Sequence, residues 1–464
     1  MNCFKFNSLF LNKAINLIKN RRFISALYIA GDKAKENYAV LQPYMDFSET
    51  FSHAEIVKEN IKQRKLNINF EAIQRKHERY MTILKQKREL ENMKENNVKD
   101  VKSLTSGNPS VASDLENLKE EGRKIRNQIK NLKEILYSIE EDFIKDYLKI
   151  PNYLHEKCPL EYVKILYRHN LPDESLMKNA KFHLDEKKLI DYKNSSCYYL
   201  LREAAIFDLE FSLNCTNFIV QNGFTQTANP DFSRRILLEA VYSDNIEQYE
   251  EIKEQDELNT AKFNTLHLNG GGSFTSFLGF ITKLSIFPSA LPLKLVSLGR
   301  QYYNENLENS QDKGLFTALQ SNAVQVFIAT QNGKSADDEM EILLSLAVDI
   351  YKKFGIHFRI IYEKASSILP SESLKASIQM FSPYFNDYIE VGHISNYSDY
   401  LSKRLLFNIK EGKRYKFPYI VGGPIADVSK ILGCLIENNA SLTAPNFKPA
   451  RNAIENFKSL FEIK

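Results

Sequence analysis

The sequence predicts an α+β protein in which a long helical arm precedes a domain built on an antiparallel sheet flanked by helices. A heptad-spaced helix occupies residues 112–148, and a looser helical segment precedes it at 68–98. The second half mixes helices and strands without the regular alternation of a parallel-sheet fold. The expected domains are a presequence at 1–24, a helical domain at 45–150 with its arm at 68–146, and a sheet domain at 151–464.

The composition is that of a folded globular protein. Hydrophobic residues make up 43% and charged residues 26% of the 464 positions, which is enough apolar surface for a core. No stretch approaches 18 uninterrupted apolar residues, so we expect no membrane insertion. The 5 cysteines are scattered and show no CxxC spacing, which argues against a disulfide framework and against a metal site.

The first residues have the composition of a mitochondrial presequence. Residues 1–31 are rich in Phe, Leu and Ile, carry five basic side chains and contain no acid. Arg22-Phe23-Ile24-Ser25 is similar to a processing site with an arginine two residues before the cut. An amphipathic first helix of the folded domain is the alternative. The presequence, taken as residues 1–24, predicts a location in the mitochondrial matrix.

The arm is predicted from two helices that lie on either side of a loop signal, Gly107-Asn108-Pro109. In the second helix only Gly122 interrupts the apolar positions of the heptad pattern. A capping box at Ser113 and Glu116 begins this helix, and Pro151 ends it. The two helices together predict an antiparallel coiled-coil arm about 45 Å long.

The arm is expected either to bind RNA or to serve as a solvated dimerisation coil. Residues 61–146 carry 19 basic and 15 acidic side chains, and the basic ones are expected to cluster in the outer half of the hairpin. Fixed positive charge on a rigid rod suits phosphate contacts, although salt pairs between neighbouring turns absorb part of it. The candidate RNA-binding residues are Arg75, Lys76, Arg79, Lys85, Lys87, Arg88, Arg123, Lys124, Arg126 and Lys130.

The second half contains clear strand and helix patterns but no catalytic motif of a nucleotide-binding, zinc-protease or serine-hydrolase type. Gly270-Gly271-Gly272 is either a turn or a weak phosphate-loop signal. His393 and His267 are either acid–base groups or packed side chains. The strand candidates are 325–330, 357–362 and 386–393, and the helix candidates are 204–221, 337–354 and 426–438.

The order of several segments resembles the seryl-tRNA synthetase family. The arm is followed by Ile150-Pro151-Asn152 and then by the run CYYLLREAAIFDLEFSLNCTNFIVQNGFTQTANP, which begins at Cys197. The segments LPLK at 291–294, SNYSDYLSKR at 395–404 and CLIENN at 434–439 follow in the family's order. The resemblance covers roughly residues 46–464.

This resemblance implies a tRNA-binding coiled-coil arm on a class II domain with a six- or seven-stranded antiparallel sheet. It also implies a dimer, with Pro230, which ends the family's first motif, at the dimer interface. The family's arm binds the long variable arm and elbow of tRNA-Ser, which agrees with the charge of the arm.

The positions that would bind ATP and serine depart from the family pattern. Tyr303 stands where the second motif has its ATP-binding arginine, and Arg300 is expected to lie on another face of the strand. The later Arg-Val-His-Gln-Phe segment reads Thr317 to Ser321. Lys430 replaces the terminal arginine of the third motif, and Ile425 replaces its second glycine.

Two acids are also replaced. Ser273 falls in the region of the serine-binding glutamate, and Gln379 falls where the family has an acid that helps to hold ATP and metal. Glu390, Ser395 and Asn396 match their family positions. Each lost charge is expected to lower the reaction rate by orders of magnitude. The chain therefore resembles a non-catalytic paralogue, for which we expect no cofactor and no metal. It is most similar to the synthetase-like proteins of insect mitochondria.

That resemblance implies an RNA-binding protein of the mitochondrial matrix that supports translation. Its expected partners are tRNA or another RNA and the active mitochondrial seryl-tRNA synthetase in a heterodimer, or a second copy in a homodimer. The resemblance also implies a matrix ATP-dependent protease as a further partner, although no residue of this chain indicates it. The alternatives are a divergent active synthetase, which needs Arg300 and Lys430 to replace the arginines, and a different nucleotide-dependent activity.

Overall fold

The structure is a computed structural model that describes residues 25–28, 41–105, 112–243, 246, 249–252, 265–303, 313–412 and 416–445. The predicted presequence at 1–24 lies outside these residues. Within them, no helix combines the length and the apolar character that a membrane span needs.

Helices dominate the first third and then flank the sheet. In chain order they are α1 (Phe47–Ser52), α2 (Ala54–Gln63), α3 (Phe70–Thr105), α4 (Ala112–Tyr147), α5 (Glu174–Asn179), α6 (Arg202–Gln221), α7 (Arg235–Tyr242), α8 (Phe274–Ile281), α9 (Gly333–Lys352), α10 (Tyr400–Leu405) and α11 (Val428–Glu437). Short 3-10 turns occupy His183–Asp185, Pro288–Ala290, Gly314–Phe316 and Ala365–Ser367.

The strands form one large sheet and three small ones. They are β1 (Lys164–His169), β2 (Ile190–Asn194), β3 (Cys197–Leu200), β4 (Thr225–Thr227), β5 (Phe232–Arg234), β6 (Glu250–Ile252), β7 (Leu266–Leu268), β8 (Ser285–Ile286), β9 (Leu293–Tyr302), β10 (Gln320–Thr330), β11 (Phe358–Tyr362), β12 (Leu374–Ser382), β13 (Asp387–Ser398), β14 (Asn408–Ile409) and β15 (Tyr419–Asp427). The candidates 325–330 and 204–221 lie within observed elements, and the other four overlap an observed element of the predicted type but extend one or two residues beyond it.

The large sheet has eight strands in the order β1-β11-β12-β13-β15-β10-β9-β4. All neighbours are antiparallel except β4 and β9, which are parallel. The sheet is therefore mixed, and the prediction of a purely antiparallel sheet with six or seven strands is wrong. β4 and β9 are parallel because the chain between them, which includes α7 and α8, crosses over before β9 begins.

The two faces of this sheet differ in polarity because side chains alternate along each strand. On the face packed against α6, α9 and α11, the strands contribute apolar residues such as Val326 and Ile378 to the main core. The opposite face packs partly on α7, α8 and α10, with Phe327 and Leu295 in a second core. The rest of that opposite face is polar, and we call it the polar face.

The two arm helices, α3 and α4, are 36 residues each and pack against each other with opposite directions. Lys76 near the start of α3 lies 2.8 Å from Asp142 and 2.6 Å from Asp146 near the end of α4. The helical arm is thus present, with its base at these residues. Since α3 begins at the base, the basic residues from Arg75 to Arg88 lie in the base half, and the prediction that they cluster in the outer half is wrong for this helix.

A buried arginine joins the N-terminal helices to the sheet domain. The Arg64 guanidinium, at the end of α2, donates to the carbonyl oxygens of Asn152, Leu369 and Glu372. Burial lowers the pKa of Arg64 to about 10. Asn152 in turn donates its amide to the carbonyl oxygens of Ser371 and Tyr397. These bonds fix the base of the arm on the sheet domain.

Candidate functional site

The polar face carries three of the sequence-predicted site residues, Gln379, Glu390 and Ser395, whereas Asn396 lies on the opposite face and contacts Asp337 of α9. Apolar residues of the main core identify the other face, so alternation assigns the intervening residues to this one. They come from five strands: Ser297 and Gln301 from β9, Ser321 and Gln325 from β10, Lys375, Ser377 and Gln379 from β12, Glu390, His393 and Ser395 from β13, and Asp427 from β15.

Glu390 is the centre of an ion-pair cluster. The Lys375 ammonium lies 3.0 Å from both of its carboxylate oxygens. Ser377 Oγ donates to Glu390 at 2.6 Å, and His393 Nδ1 lies 3.0 Å from it. Burial raises the pKa of Glu390, but the Lys375 charge and these hydrogen bonds outweigh it and hold that pKa well below its usual range. The carboxylate is therefore ionised and already neutralised by the chain itself.

Gln379 is held by an arginine that the sequence analysis did not identify. Arg359 Nε, on β11, donates to Gln379 Oε1 at 2.8 Å. The same guanidinium stacks on the ring of Tyr388, 3.3 Å from the ring centroid. The amide oxygen is thus used within the sheet, and a neutral amide carries no charge with which to attract a cation.

Lys430 lies in the first turn of α11 and binds the residue that caps this helix. Its ammonium is 3.3 Å from Asp427 Oδ2. Ser429 Oγ and Gln301 Nε2 also donate to the Asp427 carboxylate, at 3.0 Å each. Asp427 is buried, so Lys430 supplies the compensating charge for a carboxylate of the chain.

Arg300 and Tyr303 occupy different environments. Alternation from Val296 and Leu298 assigns Arg300 to the helix-covered face, where it interacts with Asp208 and Tyr198. Burial raises the pKa of Asp208, and the Arg300 charge opposes that rise. Arg300 therefore cannot replace a cation on the polar face, as expected from the sequence.

Tyr303 follows the end of β9 and is 38% exposed. Its backbone N–H donates to the carbonyl oxygen of Leu319 at 2.9 Å, which closes the β9–β10 hairpin at this point. The phenol borders a cavity of about 200 Å³ together with Glu250, Leu268 and Gln320. A phenol offers one donor and no positive charge to an anion there.

The glycine run is a close-packed turn. A Cβ on Gly270 would lie 2.0 Å from the carbonyl oxygen of Arg300, and one on Gly272 would lie 2.3 Å from that of Gly299. Gly270 also has a φ of +87°, which favours glycine. The run therefore lets the turn before α8 lie directly on β9, in agreement with the turn alternative.

Ser273, which ends this turn, belongs to a buried hydroxyl cluster. Its Oγ accepts from Asn269 Nδ2 at 3.3 Å and lies 2.8 Å from Thr275 Oγ1. Ser276 Oγ, in the same cluster, donates to the carbonyl oxygens of Gly270 and Pro230. Pro230 itself is exposed. The cluster holds no carboxylate among the residues that the structure describes.

The two matching residues after His393 have structural partners. Ser395 Oγ donates to Glu372 Oε1 at 2.6 Å, and Glu372 Oε2 accepts from the Leu369 N–H. Asn396 Oδ1 accepts from the Ser398 N–H at 2.8 Å. His267, on β7, is buried, and burial lowers its pKa. The described residues include no cluster of three or more His, Cys, Asp or Glu side chains suited to a metal ion.

Sequence reasoning missed Lys375, Arg359 and Asp427, which bind Glu390, Gln379 and Lys430. The signal for Lys375 was available, because the run Lys375-Ala376-Ser377-Ile378-Gln379 alternates polar and apolar residues as a half-buried strand does. Arg359 carries no such local signal, since its partner Gln379 lies on another strand. Asp427 had one, because an aspartate directly before an apolar helical run predicts a helix cap.

On the arm, seven of the ten candidate RNA-binding residues make no ion pair within the described part of the chain. Lys76 binds Asp142 and Asp146, Lys87 lies 3.6 Å from Glu91, and Lys124 lies 3.2 Å from Glu120. The other seven are exposed on the helix surfaces: Arg75, Arg79, Lys85, Arg88, Arg123, Arg126 and Lys130.

Comparisons with known proteins agree with this architecture. The model of the class II tRNA synthetase core domain (G, H, P, S and T) matches residues 279–439. Among solved structures, seryl-tRNA synthetase from Pyrococcus horikoshii complexed with ATP matches with a TM-score of 0.74 and 18% identity, over 85% of this chain and 94% of that one. The cytoplasmic serine-tRNA ligase of Naegleria fowleri matches with a TM-score of 0.70 and 16% identity, over 93% and 98%.

Two curated relatives extend the similarity along nearly the whole chain. The mitochondrial serine–tRNA ligase of Mus musculus is 24% identical over 90% of this chain and 84% of that protein. The serine–tRNA synthetase-like protein Slimp of Drosophila melanogaster is 42% identical over 450 residues, which cover 95% of this chain and 96% of that protein. With the class II fold and this degree of identity, the chain belongs to the seryl-tRNA synthetase family, as a relative of its synthetase-like members.

Proposed function

We propose that this chain is a non-catalytic seryl-tRNA synthetase paralogue of the mitochondrial matrix, which binds RNA through its arm and pairs with the active mitochondrial seryl-tRNA synthetase. The relative at 42% identity is named synthetase-like, which supports the paralogue. The mitochondrial enzyme of Mus musculus among the relatives, together with the basic first 31 residues, supports the location.

One observation carries the loss of catalysis: Glu390 and Lys430, the charged residues left at the ATP-binding positions, are each bound to an opposite charge of the chain. Glu390 is neutralised by Lys375, and Lys430 is bound to Asp427. Adenylate formation requires free positive charge for the phosphates of ATP and a free carboxylate for the ammonium of serine. Tyr303 and Ser273, at the remaining positions, supply neither.

Calorimetry tests this part of the proposal. ATP is titrated into the folded protein with and without serine, beside an active mitochondrial seryl-tRNA synthetase as the positive control. We expect no saturable heat from ATP at millimolar concentration in either condition. Saturable ATP binding that serine strengthens would support the divergent active synthetase, and ATP binding without a serine effect would support a different nucleotide-dependent activity.

RNA binding is proposed from the arm. Its seven exposed basic residues that form no ion pair with a described residue provide fixed positive charge along two 36-residue helices. Because neutralised phosphates release counterions, such binding is expected to weaken steeply with salt. A rod of this kind suits recognition of RNA shape more than sequence.

Pairing is proposed from an apolar stripe on α6. Ile206, Leu209 and Leu213 are spaced by one and two helical turns and are 53%, 63% and 54% exposed. An exposed apolar stripe of this kind is typical of an interface with another protein. Pro230, which follows α6 and β4 and is also exposed, lies in the same part of the chain. A related protomer can use such a surface even when its active site has changed.

A further inference from the structure

A buried carboxylate on α7 holds the short segment 25–28, which we call the N-terminal clasp. Glu239 Oε2 accepts from Ser25 Oγ at 2.8 Å, from the Ala26 N–H at 2.7 Å and from the Leu27 N–H at 3.2 Å. Glu239 is only 6% exposed. Three donors from consecutive residues therefore converge on one oxygen of this carboxylate.

The other end of the clasp binds the arm. The Tyr28 hydroxyl donates to Glu140 Oε1 on α4. Burial raises the pKa of Tyr28 well above its usual range, and its bond to Glu140 adds to that rise, so the phenol stays protonated and donates. Ala26 and Leu27 are buried in the second core, which also contains Phe143 and Ile144 of the arm. Four residues thus connect the arm to α7.

Glu239 faces one positive charge and the neutral donors of the clasp. Arg235 Nε donates to Glu239 Oε1 at 2.7 Å, whereas the donors on Oε2 among the described residues are neutral. His267, whose pKa burial lowers, interacts electrostatically with Glu239 and also with Glu251. A positive charge at Ser25 would therefore be attracted to Oε2, with Arg235 and the neutral His267 as its other neighbours.

We propose that proteolytic removal of residues 1–24 is a modification that completes this site. Water adds across the Ile24–Ser25 peptide bond, the 1–24 peptide leaves with a carboxylate at Ile24, and the freed amine of Ser25 takes a proton to become an ammonium. This ammonium pairs with Glu239 and fastens the arm to the sheet domain. The inference rests on the presequence that forms part of the proposed function, and it does not depend on whether the polar face is catalytic.

Full-length mature chains that differ only at the N-terminus test this step. One begins at Ser25, a second carries two extra glycines before Ser25, and a third begins at Ser25 with an acetylated amine. We expect the chain with the free Ser25 amine to melt about 2 °C higher than the other two at pH 7. Glu239→Gln is expected to abolish the difference, while Glu203→Gln, on the first turn of α6, leaves it unchanged.

The pH dependence distinguishes the ammonium from a merely structural contact. An N-terminal amine has an ordinary pKa of about 7.7 to 8.0, and a carboxylate partner raises it in the folded chain. The stabilisation is therefore complete below about pH 7.7 and is lost as the pH rises through the raised pKa. Equal melting temperatures of the three chains at pH 7, or a difference that persists above about pH 10, would overturn the proposal.

A separate measurement distinguishes a failure of this inference from a failure of the proposed function. The N-terminal residue of the protein from mitochondria is determined by mass spectrometry. Ser25 is expected, and a mature chain that begins after Tyr28 would overturn the clasp. A chain that is never processed would instead contradict the mitochondrial part of the proposed function, whatever the three recombinant chains show.

Discussion

The side chain of Asn97 on α3 packs directly against Gly122 on α4 within the helical arm. A Cβ on Gly122 would lie 2.6 Å from Asn97 Oδ1, and Asn97 Nδ2 donates to the carbonyl oxygen of Leu118 at 3.0 Å. The glycine that interrupts the heptad pattern of α4 therefore makes room for a buried asparagine of α3. A polar residue inside an apolar seam costs stability but fixes the register of two helices.

This pair predicts coupled effects of substitution. Gly122→Ala adds about 1 kcal/mol of helix propensity but forces Asn97 out of its hydrogen bond, so alone it is expected to yield no gain. In the Asn97→Ala background the same change is expected to stabilise the arm by about 1 kcal/mol. Thermal unfolding of the four proteins of this cycle measures the coupling. Additive effects would contradict the described contact.

Lys375→Met is expected to destabilise the protein by about 1 to 2 kcal/mol at pH 7, because Glu390 loses its main compensating charge while a third of its side chain remains exposed. In the variant the pKa of Glu390 rises, because the Lys375 charge that lowers it is gone. The wild type is therefore more stable than the variant at neutral pH, and this difference in the free energy of unfolding disappears as the pH falls through the low pKa of the native carboxyl. Denaturation from pH 7 down to pH 3 measures this. Lys193→Met, which breaks an exposed pair with Asp191, is the control. A difference that stays constant with pH would contradict the ion pair.

A buried chain of hydrogen bonds links four distant segments of the sheet domain. The Leu315 N–H donates to His183 Nε2 at 3.0 Å, so Nδ1 carries the proton and donates to Glu437 at 2.7 Å. Ser382 Oγ donates to the other oxygen of Glu437. His183→Ala is expected to cost about 3 kcal/mol in the free energy of unfolding, because it leaves a buried carboxylate with one donor fewer. Urea denaturation measures this, with His53→Ala, at an exposed position, as the control. Equal losses in the two variants would be inconsistent with the chain of bonds.

The arm predicts salt-sensitive RNA binding. Arg126→Gln combined with Lys130→Gln removes two exposed charges without ion pairs in the described structure, and is expected to weaken binding to a mitochondrial tRNA-Ser transcript. The slope of log affinity against log salt should fall by about 1 to 2. Lys124→Gln, whose ammonium already binds Glu120, is the matched control and should change the slope less. Filter binding at several salt concentrations decides this, and identical slopes would oppose a role for the arm.

The α6 stripe predicts a measurable change in association. Leu209→Glu is expected to weaken self-pairing or pairing with the active synthetase at least tenfold, because it places a charge in the centre of an apolar contact. Ile342→Glu, at a 46% exposed apolar position on α9, is the matched control and should have no effect. Sedimentation of the protein alone and with the synthetase separates the two kinds of pair. Equal behaviour of the two variants would argue against this surface.

The sequence predicted the arm and the parts of the sheet domain with strong local periodicity. The 3,4 spacing in α4 and the apolar runs of β10 and β11 depend on neighbouring residues, so they are visible without a structure. The parallel pairing of β4 with β9 was not predicted, because it depends on a three-residue strand that has no periodic signal of its own.

The sequence predicted which positions form the candidate site, but not which residues bind the side chains at those positions. Tyr303, Gln379 and Lys430 were identified from the order of motifs, whereas the groups that bind Gln379 and Lys430 come from another strand or from the cap of a helix. Hydrogen-bond partners across a sheet depend on strand register, and a bulge in β13 next to Glu390 shifts that register. The location of the basic residues of α3 was wrong because α3 continues to Thr105, beyond the predicted end at 98, so the tip of the arm lies farther from these residues.

The most direct test of the central claim is serine-dependent ATP–pyrophosphate exchange by the chain that begins at Ser25. An active mitochondrial seryl-tRNA synthetase provides the positive control, and circular dichroism establishes that the sample is folded. The account predicts that serine raises the exchange no higher than the background measured without it, because Glu390 and Lys430 are already bound to Lys375 and Asp427. Serine-dependent exchange would contradict it and would make this chain an active synthetase with altered ATP-binding residues.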